Sequence, residues 1–183
     1  MSGETAEQAA ANLAEGAAAL DTLLGRLSED EGRARGTMGG GAWSAKDLAG
    51  HIETWDQVAL ETIEDVLAGR TPRIRQVVWD EASVDLFNAR EVERKAGAGW
   101  QETLSSFRRT NALLVETLRG LSAEEWATRP AGESATDTRS LGEHVGSNTG
   151  MPGKPFRHAW AHLNDLAAFV AIAEGHPAAS NNP

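Results

Sequence analysis

The chain has 183 residues, 40% of them hydrophobic, with six Trp and neither Tyr nor Cys. That length suits a single domain able to bury a sizeable core, and the lack of cysteine excludes disulfides, thiolate metal sites and cysteine nucleophiles together. A formal charge of −10 and a pI of about 4.9 repel phosphate backbones, so nucleic acid is excluded as a partner on charge.

Apolar residues at helical spacing predict a first helix over 5–27, through Leu13, Ala17, Leu20, Leu23, Leu24 and Leu27. A loop over Ser28–Ala42 follows, broken by Gly36, Gly39, Gly40 and Gly41. Ser44-x-x-Asp47 has the form of a capping box and opens a second helix through Leu48, His51, Ile52, Trp55, Val58, Ala59 and Ile63 towards Gly69. After Pro72 a third helix is expected over 77–96, carrying Val84, Phe87 and Val92 and ending at Gly97. A fourth runs over 100–119 through Leu104, Phe107, Leu113, Leu114 and Leu118, and stops at Gly120. Ser122-x-x-Glu125 caps a short helix that includes Trp126.

Residues 129–154 are polar and broken by glycine and proline, apart from a helical turn near Leu141–Val145. Pro155 suits the first position of a last helix reaching about Ala173, because its missing N–H costs nothing there. The tail after Gly175 reads as frayed. No repeat and no strand pattern appears. The expected architecture is an all-α bundle, with 1–176 one domain and 177–183 a flexible tail. The N-terminus lacks the basic and apolar regions of a signal peptide, and no apolar run approaches the ~18 residues of a membrane span. A cytoplasmic protein without a membrane partner is expected.

Three histidines carry the chemistry. His158 and His162 are four residues apart, which places both imidazoles on one helical face with Cβ atoms roughly 5–6 Å apart. Two neutral imidazoles so placed suit one divalent ion; the alternative is a pair of polar residues on a partly exposed face. His51 shares the inward stripe of its helix with Leu48, Trp55 and Val58, and a third imidazole from another helix would leave open positions for water or substrate, as in catalytic zinc. Asp47, Glu53, Asp56 and Asp165 are potential acceptors for a ligating imidazole, although each also reads as a surface charge. His144 reads as a loop residue able to approach the site, and His176 as solvent-exposed. Gly39–Gly41 lacks the GxxxxGK[ST] context of a phosphate loop, and neither HExxH nor GxSxG is present.

The run Trp43-Ser44-Ala45-Lys46-Asp47-Leu48-Ala49-Gly50-His51-Ile52-Glu53-Thr54-Trp55 resembles the W-S-x-K-D-L-x-x-H-x-x-x-W segment of the DinB/YfiT-like superfamily. Asp85-Leu86-Phe87-Asn88-Ala89-Arg90 is similar to the middle of those proteins, and His158-Ala159-Trp160-Ala161-His162 to their C-terminal H-x3-H. The nearest likeness is to the mycothiol-dependent maleylpyruvate isomerase N-terminal domain and the DUF1706 group. The resemblance implies a four-helix bundle with up-down-down-up connectivity, here with a short extra helix and a long loop before the last helix. It also implies a divalent metal, often zinc or nickel, held by His51, His158 and His162. It implies no polymerase activity. The stretch Gly150–Arg157 looks longer than in such relatives.

The function implied is metal-dependent chemistry on a small electrophile: S-transfer from an external low-molecular-weight thiol of the mycothiol or bacillithiol type, or hydrolysis, in detoxification, self-resistance or natural-product metabolism. Trp55, Trp160, His144 and Asn88 are the candidate pocket residues. The rival reading is a non-catalytic protein that sequesters an apolar ligand in the bundle cavity, lined by Trp55, Trp160 and the loop before Pro155. Exposed helix faces leave a homodimer open under either reading.

Overall fold

The computed structural model describes residues 3–38, 41–72, 81–130 and 138–175. His176, the start of the third helix expected at 77–80 and the tail at 177–183 lie outside these. Among the described residues the chain is all-α: α1 (Ala6–Leu24), α2 (Glu29–Arg33), α3 (Ala45–Leu67), α4 (Glu81–Arg94), α5 (Trp100–Gly120), α6 (Ala123–Ala127), α7 (Leu141–Asn148) and α8 (His158–Ala173). No helix among them is long and apolar enough to cross a membrane.

Local chemistry sets most of the boundaries. Thr5, Ser28, Ser44, Ser122 and Ser140 each accept a backbone N–H three residues on, while the residue at that position bonds back to the cap N–H. The Ser28–Glu31 box explains α2, a helical turn within the segment expected to be a loop. The Ser140–Glu143 box extends the turn expected near Leu141 to eight residues.

The last helix begins at His158, three residues later than Pro155 suggested. Phe156 adopts φ 57, a left-handed conformation that an α-helix cannot contain. Its ring is buried against Trp126, with centroids 6.0 Å apart. Burying a Phe side chain is worth about 1.5–3 kcal/mol, comparable with the strain of such a backbone.

The long helices α1, α3, α5 and α8 contact one another around the molecule: α1 against α5 and α8, and α3 against α5 and α8, with α7 also packed on α3. Two apolar clusters result. One joins Leu20, Leu24, Leu48, Ile52, Trp100, Phe107 and Leu166. The other joins Leu13, Ile63, Val66, Leu114, Leu118, Val145 and Phe156. Along α3 the first cluster ends at Ile52 and the second begins at Ala59; along α5 the break falls between Phe107 and Leu114. Buried polar groups fill that gap. Asn111 Nδ2 donates to Asp56 Oδ2 at 2.9 Å, and the Lys95 ammonium donates to Glu53 Oε2 at 2.9 Å and to the Gly50 carbonyl at 2.7 Å.

Candidate metal centre

His51 comes from the first half of α3, held in register by the Ser44 cap. His158 is the first residue of α8, where its own N–H has no intrahelical acceptor. That N–H donates instead to the Thr149 carbonyl at 3.0 Å, which ties the helix start to the preceding loop. His162 follows one turn later.

The three imidazoles converge. One ring nitrogen from each lies within 4.8 Å of the others. Nε2 of His51 and Nε2 of His158 face each other at 2.9 Å, and the His51 ring meets those of His158 and His162 edge-on at 4.7 and 5.6 Å between centroids. His51 and His158 are only 6% and 8% exposed. Nε2 of His162 is buried with no hydrogen-bond partner among the described residues. Such an atom costs about 1–3 kcal/mol unless something binds it.

All three rings favour the neutral, ligating form. Burial first, and then the neighbouring His158, His162 and Lys95 charges, hold His51 well below its ordinary value. Burial and His162 push His158 down to about 3. Burial also lowers His162, opposed by the carboxylate of Asp165.

The donor set fits a divalent cation. Zinc–nitrogen bonds of about 2.0–2.1 Å in a tetrahedral arrangement separate donors by roughly 3.4 Å. The present spacings bracket that value, so modest ring rotations suffice. Three nitrogens leave a coordination position open.

The walls of the centre are aromatic. Trp43 lies 4.8 Å from His51 and Trp55 lies 6.3 Å from His158, centroid to centroid. Trp55 Nε1 donates to Asn88 Oδ1 at 3.1 Å, and its ring meets Phe87 at 5.3 Å. Trp55 and Asn88, both expected at the pocket, are therefore joined to each other beside the histidines. The other two candidates lie elsewhere. Trp160 turns onto α1, where Nε1 donates to the Asn12 carbonyl at 3.3 Å and the ring covers Gly16. His144 is buried on α7, outside the converging set, and is a helix rather than a loop residue.

The surface reading of three carboxylates also needs correction. Asp47, Glu53 and Asp56 are all buried, because the first completes the α3 cap, the second pairs with Lys95 and the third with Asn111. Asp165 is exposed. Trp43 and Phe87 join the site without a local signal of a pocket role, although Trp43 opens the motif that contains His51.

A family model described as "DinB superfamily" matches residues 12–150. The chain belongs to the DinB superfamily. The matched span includes His51 and ends before His158 and His162. Comparison with curated proteins finds no match. Among solved structures, an uncharacterised protein from Escherichia coli UTI89 has a TM-score of 0.74 at 10% identity, with 94% of this chain and 96% of that one covered. The colibactin self-resistance protein ClbS, in complex with a dsDNA, has a TM-score of 0.68 at 14% identity, with 91% and 98% covered. These likenesses are of fold.

The ClbS complex overturns one expectation. Net charge argues against nucleic acid, yet a protein of this fold has been crystallised with duplex DNA. The exclusion fails physically because a total charge of −10 says nothing about local clusters of Lys and Arg, and contacts with phosphate are local.

Proposed function

We propose that this DinB-superfamily protein is a metal-dependent enzyme acting on a small electrophile, by S-transfer from an external low-molecular-weight thiol or by hydrolysis. The observation that carries the reading is the meeting of three imidazoles from two helices, one of them with a buried nitrogen that has no hydrogen-bond partner among the described residues. His51, His158 and His162 would hold the ion. When bound, zinc or nickel supplies Lewis acidity that makes a water or thiol nucleophilic at neutral pH.

The remaining residues shape what reaches that position. Trp43 and Trp55 give apolar walls that exclude bulk water, which strengthens electrostatic effects inside. Asn88 fixes the indole of Trp55 and so the edge of the opening. The Thr149 carbonyl holds the first turn of α8, and with it the angle of His158. The chain has no cysteine, so any thiol in the reaction comes from outside. The name of one fold neighbour, a self-resistance protein, supports a reactive small molecule as the substrate class.

The test is elemental analysis of untagged protein beside the His51→Ala and His158→Ala variants. Near-stoichiometric zinc or nickel in the wild type, lost in both variants, is expected. Wild-type protein that stays metal-free after incubation with either ion would remove the basis of the proposal.

A further inference from the structure

A second concavity has none of the three histidines in its lining. Arg157, the residue that precedes α8, and Trp160 and Asn164 of α8 line a cleft of about 910 Å³ with Glu4, Met151 and Lys154. Small-molecule sites span about 300–1,000 Å³.

The wall of this cleft is preformed. Met151 and Lys154 exchange backbone hydrogen bonds at 3.0 and 2.8 Å around Gly153, at φ 73, and the segment is then clamped by buried Phe156 at φ 57. A non-glycine residue in the left-handed region persists only where its surroundings over-determine it. The long stretch before α8 is thus a fixed loop, and its outer side faces the cleft.

The chemistry of the lining is specific. The Arg157 guanidinium lies 5.5 Å over the Trp160 ring, a cation–π arrangement. Neither the Arg157 nor the Lys154 side chain makes an ion pair or hydrogen bond among the described residues, whereas Arg26, Arg70, Arg94 and Arg108 are each paired with a carboxylate. Two unpaired cations beside an indole suit an anionic group on a flat apolar body. Glu4 adds an acceptor: Oε1 takes the Asn12 amide at 3.0 Å, while Oε2 is buried with no hydrogen-bond partner among the described residues.

We propose that this cleft is a second binding site, for a small organic anion with a planar apolar body and an N–H or O–H donor. Lys154 and Arg157 take the anionic group, Trp160 the flat face, and Glu4 the donor. The site is independent of the metal centre.

The experiment is calorimetric titration of the full chain with 5-aminonaphthalene-1-sulfonate, with 1-naphthylamine as the uncharged comparison. One-to-one binding is expected, weakening as salt is added. The loss should be roughly tenfold for 1-naphthylamine and for the Lys154→Gln/Arg157→Gln double variant, as charge-assisted bonds are removed. Lys154→Gln alone, at an exposed position, should shift affinity in the same direction with an unchanged melting temperature. His51→Ala should bind as the wild type does, and a short DNA duplex should not displace the probe. No binding, equal affinity for 1-naphthylamine, or an unaffected double variant would overturn the proposal. So would loss of binding in His51→Ala, which moves the probe to the histidines, or displacement by the duplex, which assigns the cleft to nucleic acid.

Discussion

Asp56 offers a quantitative test of how the polar layer between the two cores is built. It is 3% exposed, accepts one hydrogen bond from Asn111, and faces the charge of Glu53. Burial dominates and raises its pKa from 3.8 to about 7, opposed by the Asn111 amide and assisted by Glu53. In the unfolded chain the group titrates near its ordinary value, so between the two pKa values the folded state binds the extra proton and stability falls as pH rises. The stabilisation is complete below about pH 4 and lost above about pH 7. At 1.36 kcal/mol for each tenfold change in acidity, a rise from 3.8 to about 7 corresponds to about 4 kcal/mol. Asp56→Asn keeps the shape and an acceptor for Asn111 but cannot ionise. Thermal melts across this range should give nearly equal Tm values at the acid end. The variant should be more stable at about pH 8, with about 8–16 °C as the full value for a chain of this size. If the two profiles run parallel, Asp56 is not a buried carboxyl titrating near neutrality and α3 does not pack on α5 in this way.

Two further substitutions probe the packing, one in the polar layer and one between α6 and α7. Lys95→Met strands Glu53, whose side chain is only 11% exposed, and should cost about 3 kcal/mol in urea denaturation. Glu53→Gln should recover much of that loss, and a cost under about 1 kcal/mol for Lys95→Met would class the pair with surface bridges. Gly142→Ala places a Cβ 2.5 Å from the Trp126 ring and should destabilise by about 1–3 kcal/mol through overpacking. The same change in a Trp126→Leu background should cost clearly less, and an equal cost there would show that the ring is not the obstacle.

The features legible in the sequence were those written in local code. Serine caps with an acid three residues on mark the start of α3 and α6, and the period of apolar residues gives α1, α3 and α5 nearly their full extent. His51 was legible as an inward residue because Leu48 and Trp55 share its stripe. Long-range pairing was harder to read. Nothing local in Glu53, Asp56 or Lys95 tells that the first pairs across 42 residues of chain or that the second meets Asn111 across 55, so charged side chains on α3 read as surface. Pro155 misled for a related reason. Its own preference for a helix start is real, but the tertiary burial of Phe156 fixes the backbone beyond it. Trp160 lies between two inward histidines in sequence, yet a helix turns by about 100° per residue, and two residues beyond His158 is nearly the opposite face.

The polar layer explains why a site arises at this level of the molecule. Replacing buried ion pairs and polar bonds by hydrophobic residues is often neutral or stabilising, so Glu53–Lys95 and Asp56–Asn111 are not there to maximise stability. They are satisfied within the chain and fix α3 against α5 and the end of α4. His51 and His158 satisfy each other only if one of them carries the proton on the facing nitrogen. His162 Nε2 has no hydrogen-bond partner among the described residues. A protein that held these rings for packing alone would do better with leucine at 162, on the same face and without the desolvation cost. His162→Leu therefore separates the two accounts. Packing alone gives a more stable protein with unchanged metal content, whereas a ligand role gives a protein that is no less stable when metal-free and has lost its zinc or nickel.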